Sequence, residues 1–215
     1  MGDKFQNKYR IKSHRMPGWD YSGDGYYFIT LVTQNRECNL GEIVDEIMIL
    51  SDFGQIVKNE WDKSFNMRDE LFLDEFIIMP NHLHAIIILK TTKIEKINDT
   101  HGLHGLHVVD THGRAYLQTT EQTEKKLPFI RKSKSISSFI GGFKSAINSK
   151  IDNFIDKNNL NILKYNKNNH FFQPNYHDHI IRNINKYQRI KNYIINNPLK
   201  WNDDKFNPNN IKQVK

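Results

Sequence analysis

The spacing of hydrophobic residues predicts three strands in the first half of the chain. Segments 26–33, 71–79 and 82–90 are dense in aromatic and β-branched residues, which favour strands. Pro80 and Asn81 separate the second segment from the third, and a proline cannot donate to a strand ladder. We therefore expect the second and third strands to pair as a hairpin.

Other segments carry apolar residues at helical spacing. A helix is predicted over 43–65, interrupted near Gly54, a second over 135–154, and a third over 183–197, stopped by Pro198. Phe171 and Phe172 form a short predicted edge strand. This order approximates an α+β, ferredoxin-like βαββαβ sandwich followed by a C-terminal helix. A fold of this kind does not define a chemistry.

Residues 91–123 differ from the rest of the chain in composition and in hydrophobic periodicity. They are polar, lack periodicity and contain the near-repeat HGLHGLH at 101–107. A stretch this long without regular structure is typical of a flexible insertion. We therefore predict one domain, 1–215, with an insertion at 91–123.

The remaining composition narrows the class of protein. A chain of 215 residues fits one domain, and no stretch approaches the length of a membrane span. The N-terminal residues are polar and charged, unlike a secretory signal. One cysteine, Cys38, excludes a disulfide framework and fits a reducing compartment. These features predict a cytoplasmic protein with no membrane partner.

Positive charge is concentrated in particular segments. The net charge is +7, and segment 125–150 holds seven basic residues and no acidic one. A solvated lysine-rich surface is one explanation, but this segregation favours a phosphate-binding face and hence a nucleic-acid partner, in a bacterial cell the nucleoid. The candidate contacts in this part of the chain are Lys125, Lys126, Arg131, Lys132, Lys134 and Lys144.

Two histidines form the first candidate site. Alternate residues of a strand share a face, so His82 and His84 point the same way. Two neighbouring imidazoles can supply two nitrogen ligands to one divalent metal ion. An ordinary half-exposed strand is the alternative explanation of the pair.

The last predicted helix has two distinct faces. Its apolar face carries Ile184, Tyr187, Ile190 and Ile194, and its basic, polar face carries Lys186, Arg189, Tyr193 and Asn197. A phenol among cations is placed to meet a phosphate and can act as a covalent nucleophile. Asn197 could offer an oxygen as a third metal ligand. A surface tyrosine lying across its helix is the alternative.

Several motifs together resemble a known family. They are GYYFITLVTQNRE at 25–37, DEFIIMPNHLHAIII at 74–88, IGGFKSAI at 140–147, QPNYHDHIIRN at 173–183 and YIINNPLKW at 193–201. The chain resembles the single-tyrosine HUH transposases, most closely the REP-associated tyrosine transposases of the IS200-like group. The matching stretches run nearly end to end, and only 91–123 finds no counterpart.

The resemblance implies a set of roles. His82, His84 and Asn197 would hold Mg²⁺ or Mn²⁺, and Tyr193 would be the nucleophile that forms a 5′-phosphotyrosine. The substrate would be single-stranded DNA with palindromic, hairpin-forming repeats. Tyr176 is expected to pack inside the protein, whereas His179 and Arg182 are expected to be structural or to contact DNA.

Two other functions remain open at this stage. A domesticated protein could bind hairpin DNA without cleaving it, although it would not need His82, His84, Tyr193 and Asn197 together. A replication initiator or relaxase would share the chemistry but not the biological role. A zinc hydrolase would need a further ligand and an acidic general base. The sequence leaves open whether the protein is a monomer or a homodimer.

Overall fold

The computed structural model describes residues 4–5, 8–9, 19–90, 134–166 and 168–210. The insertion predicted at 91–123 lies outside the described residues, as do the candidate DNA contacts Lys125, Lys126, Arg131 and Lys132. In the described part of the chain, no helix combines the length and hydropathy needed to cross a membrane.

The strands and helices follow one another in an α+β order. They are β1 (Lys4–Phe5), β2 (Lys8–Tyr9), β3 (Gly25–Val32), β4 (Gly41–Val44), β5 (Ile47–Leu50), α1 (Asp52–Asn66), β6 (Leu71–Met79), β7 (His82–Leu89), α2 (Ile136–Lys157), β8 (His177–Ile181) and α3 (Ile184–Ile195). Short 3-10 turns cover Gln34–Arg36 and Pro198–Asp203.

The main sheet has four strands in the order β6-β7-β3-β8, and all its neighbours are antiparallel. With α1 and α2 as the intervening helices, this is the ferredoxin-like arrangement. The prediction of an α+β sandwich with a C-terminal helix is therefore confirmed. The predicted strands at β3, β6 and β7 and the predicted helices at α2 and α3 are also confirmed.

The helix predicted over 43–65 is wrong in its first part. A hairpin of β4 and β5 precedes α1, and its turn residues Asp45 and Glu46 have φ of 48° and 65°, as a tight hairpin turn requires. The helix begins after Ser51, whose hydroxyl accepts a hydrogen bond from the Gly54 amide at 3.0 Å. Gly54 does not interrupt the helix. It allows close packing, because a Cβ there would lie 2.1 Å from the Leu40 carbonyl oxygen.

The short edge strand predicted at Phe171 and Phe172 is also wrong. Phe172 makes only an isolated bridge to Thr33, and both phenylalanines are buried in the core. The fourth strand is β8, which pairs with β3 at the edge of the sheet. Its sequence, HDHII, does not alternate polar and apolar residues, so it does not stand out as a strand.

The two faces of the sheet have different partners. The main core lies beneath α1 and α2, where Trp61 stacks on Phe76 with ring centroids 4.7 Å apart. The opposite face holds a smaller cluster that includes Ile86 of β7 and Tyr187 and Ile194 of α3. Alternation along β7 places His82 and His84 on this second face, beside Ile86. Helix α3 therefore packs on the histidine face of the sheet.

Candidate active site

The two histidines lie side by side at the start of β7. His82 pairs with Val32 and His84 with Thr30 across the ladder to β3. Their exposed fractions are 0% and 2%, and their ring centroids are 4.6 Å apart. The pair therefore occupies a buried site, unlike a half-exposed surface strand.

Each imidazole has a defined partner at Nδ1. The Nδ1 of His84 is 2.8 Å from the Thr30 hydroxyl, and the ring stacks on Phe28 at 5.3 Å. The Nδ1 of His82 is 2.9 Å from Oδ1 of Asn81. The Nε2 of His82 is buried and has no hydrogen-bond partner among the described residues. Nε2 is therefore the atom of His82 left for a ligand.

Tyr193 reaches this pair from α3. Its hydroxyl is 3.1 Å from Nε2 of His84, and its ring stands edge-on to Phe28 at 6.3 Å. The side chain is 39% exposed, so the phenol is open to solvent on one side. The Tyr193 side chain therefore lies next to His84.

An ion pair fixes α3 against the sheet. Lys191 donates to Asp74 at 3.1 Å and lies 3.8 Å from Glu75. Asp74 occupies a β-bulge in β6, where the register shifts between Leu73 and Glu75. A bulge redirects a side chain out of the regular alternation. It allows this carboxylate to meet the helix that carries Tyr193.

Asn197 follows the end of α3, one helical turn beyond Tyr193. It is 1% exposed, and its backbone amide donates to the Ile194 carbonyl at 3.1 Å. Its side-chain Oδ1 is buried and accepts no hydrogen bond from a described residue. The structure thus holds two buried and unpartnered polar atoms, His82 Nε2 and Asn197 Oδ1, in the same region as the Tyr193 hydroxyl.

Both histidines are held in their neutral form. Burial, and then the nearby Lys205 charge, lower the pKa of His82 to about 3, although Asn197 acts in the opposite direction. Burial also lowers the pKa of His84 well below its ordinary value, assisted by His82, Lys205 and His177. A neutral imidazole retains a nitrogen lone pair, so both rings can act as ligands near pH 7.

The Tyr193 phenol is protonated at rest. Burial is the main cause that raises its pKa above the usual value, and the Asp204 carboxylate raises it further. Asn197 lowers it, which places the asparagine side chain next to the phenol. Nucleophilic attack by Tyr193 would therefore require removal of its proton during the reaction.

A cavity of about 560 Å³ opens over His84 and Tyr193. Side chains from β3, β7, β8 and α3 line one side of it, and the C-terminal segment, residues 198–207, lines the other with Lys200, Asp203, Asp204, Lys205 and Phe206. Asn81 donates to the Phe206 carbonyl at 2.7 Å, and Arg36 donates to the Lys205 carbonyl at 3.1 Å.

Sequence reasoning used residues 198–201 of this segment only as the end of a family motif and did not place the segment at the site. Its pattern, PLKWNDDKFN, has no strand or helix period, so it gave no structural signal. The pair Asp203 and Asp204 was the one available hint of chemistry.

The donor atoms fit a metal ion of mixed nitrogen and oxygen preference. Across the described residues, no three side chains of the His, Cys, Asp or Glu type cluster in a way that could hold a metal. Beside His82 and His84, Asn197 Oδ1 is a buried oxygen that accepts no hydrogen bond from a described residue and could serve as a third ligand. Two imidazoles and one amide leave coordination positions for phosphate and water.

Lys144, a predicted DNA contact, and Tyr176, a predicted packing residue, both make their contacts with the protein itself. Lys144 donates to the carbonyls of Gln173 at 2.5 Å, Pro174 at 3.2 Å and Asn175 at 3.4 Å. Burial lowers the pKa of this lysine to about 8. Tyr176 packs against the main core, with the Lys144 ammonium 5.9 Å from its ring centroid, as expected of a packing residue.

Three further basic residues proposed from the sequence as DNA contacts, Arg182, Lys186 and Arg189, act electrostatically on His179 of β8. The pKa of His179 is lowered first by burial and then by the positive charges of Lys186, His177, Arg182 and Arg189. Arg182 also lies over the Trp19 ring at 5.6 Å. We call Arg182, Lys186 and Arg189 the cationic surface. Arg182 directly follows edge strand β8, Lys186 and Arg189 lie on α3, and His177 at the start of β8 lines the cavity. The predicted contact Lys134 is exposed just before α2.

Comparison with solved structures supports the fold described above. A REP-associated tyrosine transposase, solved bound to a REP hairpin, superposes with a TM-score of 0.50 at 19% identity, over 88% of this chain and 74% of that chain. The chain therefore has the REP-associated tyrosine transposase fold, and the resemblance found in the motifs is confirmed at that level.

A sequence relative shows a family to which the chain belongs. An uncharacterised protein of Haemophilus influenzae is 33% identical over 195 residues, which cover 91% of this chain and 92% of that protein. The chain belongs to the same family as this Haemophilus protein. No family model matches the sequence.

Proposed function

We propose that the protein is a metal-dependent endonuclease and strand transferase for single-stranded, hairpin-forming DNA. One observation carries the proposal: the Tyr193 hydroxyl lies 3.1 Å from His84 Nε2, in the region where His82 Nε2 and Asn197 Oδ1 are buried without partners. A protein that only bound DNA would have no need for buried, unpartnered donor atoms, which are costly to bury.

His82, His84 and Asn197 would hold the metal ion, Mg²⁺ or Mn²⁺. When bound, the ion would polarise the scissile phosphate and offset the charge that develops on the leaving oxygen. Two of the three protein ligands are imidazoles, whereas Mg²⁺ prefers oxygen ligands. We therefore expect Mn²⁺ to bind more tightly than Mg²⁺.

Tyr193 would carry out the covalent step. Its phenolic oxygen forms a bond to phosphorus while the bond from phosphorus to the 3′ oxygen breaks, giving a 5′-phosphotyrosine and a free 3′-OH after the leaving oxygen takes a proton from water. Asp204 lines the same cavity and acts electrostatically on Tyr193, so it is the candidate acceptor of the phenol proton. Attack by a 3′-OH on the phosphotyrosine reverses the step and joins strands without ATP.

The cationic surface would bind the DNA backbone. Cations that neutralise phosphates supply most of the affinity that does not depend on sequence. Arg182, Lys186 and Arg189 act electrostatically on His179, and His177 of the same strand lines the cavity, so phosphates next to the scissile one would be the groups that they meet. The structural neighbour was bound to a REP hairpin, which supports a hairpin-forming strand as the substrate class.

A covalent adduct tests the reaction class. The purified protein is incubated with labelled single-stranded DNA that carries the palindrome flanking its own gene, with Mn²⁺ or Mg²⁺, and analysed on denaturing gels. We expect a protein–DNA band with the wild type and with Tyr176→Phe, and none with Tyr193→Phe. Tyr176→Phe is the matched control, because this second tyrosine packs against the core.

The same gels separate the alternatives. Hairpin binding by the wild type with no adduct in either metal would refute cleavage and favour the domesticated DNA-binding protein. An adduct that persists in Tyr193→Phe but disappears in Tyr176→Phe would identify Tyr176, not Tyr193, as the nucleophile. Cleavage of a strand that lacks a hairpin, at an equal rate, would favour a replication initiator or relaxase.

A further inference from the structure

Asn81 is the most constrained polar side chain next to the histidine pair. It lies in the turn between β6 and β7 and is fully buried. Its Nδ2 donates to the carbonyl oxygens of Arg36 at 3.0 Å and Phe206 at 2.7 Å. Its Oδ1 lies 2.9 Å from Nδ1 of His82. All three contacts join Asn81 to parts of the chain that surround the candidate active site.

These contacts determine which way the amide faces. A carbonyl oxygen only accepts hydrogen bonds, so the side-chain atom that meets two carbonyls must be the NH₂ group. The oxygen must then face His82. A flipped amide would place oxygen against oxygen at two positions and would leave a buried NH₂ facing the ring.

The orientation of Asn81 in turn fixes the proton on His82. An amide oxygen cannot donate, so Nδ1 of His82 must carry the hydrogen, whether the ring is neutral or charged. In the neutral ring the lone pair is then on Nε2. This is the atom of His82 that is buried without a partner among the described residues.

We propose that Asn81 is a positioning residue that fixes His82 in the Nδ1–H tautomer, so that Nε2 is the atom presented to a divalent metal ion. The part of this statement that concerns metal rests on the proposed function. Hydrogen bonds of this kind orient metal-binding histidines and raise the basicity of the ligand nitrogen.

The second histidine lacks such a constraint. Thr30 is the Nδ1 partner of His84, and a hydroxyl can rotate either to donate or to accept. The tautomer of His84 is therefore free to change with whatever meets its Nε2, which here is the Tyr193 hydroxyl. The two histidines are thus unequal: His82 is a preset ligand, and His84 can exchange between Tyr193 and another partner.

Two substitutions separate the acceptor of Asn81 from its donors. Asn81→Ala removes both. Asn81→Asp removes the two donated hydrogen bonds but keeps an oxygen that accepts from His82. Asn207→Ala is the matched control, because Asn207 donates to the Trp201 carbonyl at 3.0 Å and holds the same C-terminal segment without contacting a histidine.

The direct readout is ¹⁵N NMR of the histidine rings in the metal-free protein, with the His82 signals assigned by their loss in His82→Gln. We expect a protonated Nδ1 on His82 in the wild type, in Asn81→Asp and in Asn207→Ala, and a mixture of tautomers in Asn81→Ala. Calorimetric titration with Mn²⁺ should show affinity roughly 10- to 100-fold weaker for Asn81→Ala than for the wild type. Asn81→Asp should retain the affinity.

Two results would overturn the proposal. One is an Nε2-protonated His82 in the wild type. The other is an equal loss of Mn²⁺ affinity in Asn81→Asp and Asn81→Ala, which would make the donated hydrogen bonds, and hence a structural role, responsible. Failure of the proposed function looks different: the wild type then forms no DNA adduct, while the tautomer still follows residue 81.

Discussion

The two buried histidines should make the stability of the metal-free protein depend on pH. Burial is the main cause that lowers the pKa of His82 to about 3, and it also lowers the pKa of His84 well below the ordinary value. An unfolded histidine titrates near pKa 6.5. The unfolded chain therefore binds protons in mild acid that the folded protein does not bind.

The direction and size of the effect follow from this difference. Because the unfolded state binds more protons, the free energy of unfolding rises with pH in this range. The contribution is complete above about pH 6.5 and is lost as the pH falls toward the folded pKa of about 3. For His82 alone the loss between about pH 7.5 and about pH 5 is about 2 kcal/mol. His84 adds a loss of the same sign.

Urea unfolding of the metal-free protein at these two pH values measures the loss. We expect His82→Gln to reduce the drop seen in the wild type by about 2 kcal/mol, because glutamine does not titrate. Tyr193→Phe is the control, since it alters the same cavity but leaves both histidines in place. The reasoning fails if His82→Gln loses as much stability in acid as the wild type does.

Four other substitutions test the docking of α3 and the proposed DNA surface. Lys191→Met leaves the nearly buried Asp74 carboxylate without its main cation, so urea unfolding should show a loss of about 1–3 kcal/mol; no loss would contradict a stabilising role of the pair. Ile194→Ala, at a fully buried position, should cost about 2–4 kcal/mol in the same assay. Ile195→Ala, at a residue that is 51% exposed, should cost far less, and equal losses would refute the packing of α3 described above. Arg189→Ala should weaken hairpin binding and reduce the slope of log affinity against log salt by about one; an unchanged slope would exclude a phosphate contact.

The fold could be predicted wherever one structural period dominated the sequence. The strands over 71–79 and 82–89 are nearly continuous apolar runs, and α2 keeps its helical stripe for its whole length. The hairpin of β4 and β5 was misread because apolar residues lie on both of its faces. Val44, Ile47 and Ile49 are 45%, 63% and 50% exposed, so strand alternation between polar and apolar residues is absent there.

The candidate site was predictable only in its regular elements. His82 and His84 on a strand, and Tyr193 on a helix, have neighbours that follow from spacing. The C-terminal segment is irregular and is held by hydrogen bonds from Asn81 and Arg36 to its backbone, which no periodicity reveals. The sequence also does not show whether a long basic side chain faces solvent or the protein; Lys144, for example, donates to backbone carbonyls.

The side chains of the candidate site come from two units of the fold, the four-stranded sheet and helix α3 with the residues just after it. The sheet supplies the two histidines, and their positions are fixed by the ladder between β3 and β7. Helix α3 and the residues just after it supply Tyr193 and Asn197, four positions apart, so any movement of the helix end displaces the proposed nucleophile and the proposed third ligand together.

Side-chain contacts join these units at separate places: the ion pair of Lys191 with Asp74, and the Asn81 amide, which binds both His82 and the Phe206 carbonyl. Because Asn81 contacts both His82 and the C-terminal segment, a shift of that segment would act directly on the His82 ring. The geometry of the proposed metal ligands and the shape of the cavity wall are therefore coupled through one buried amide.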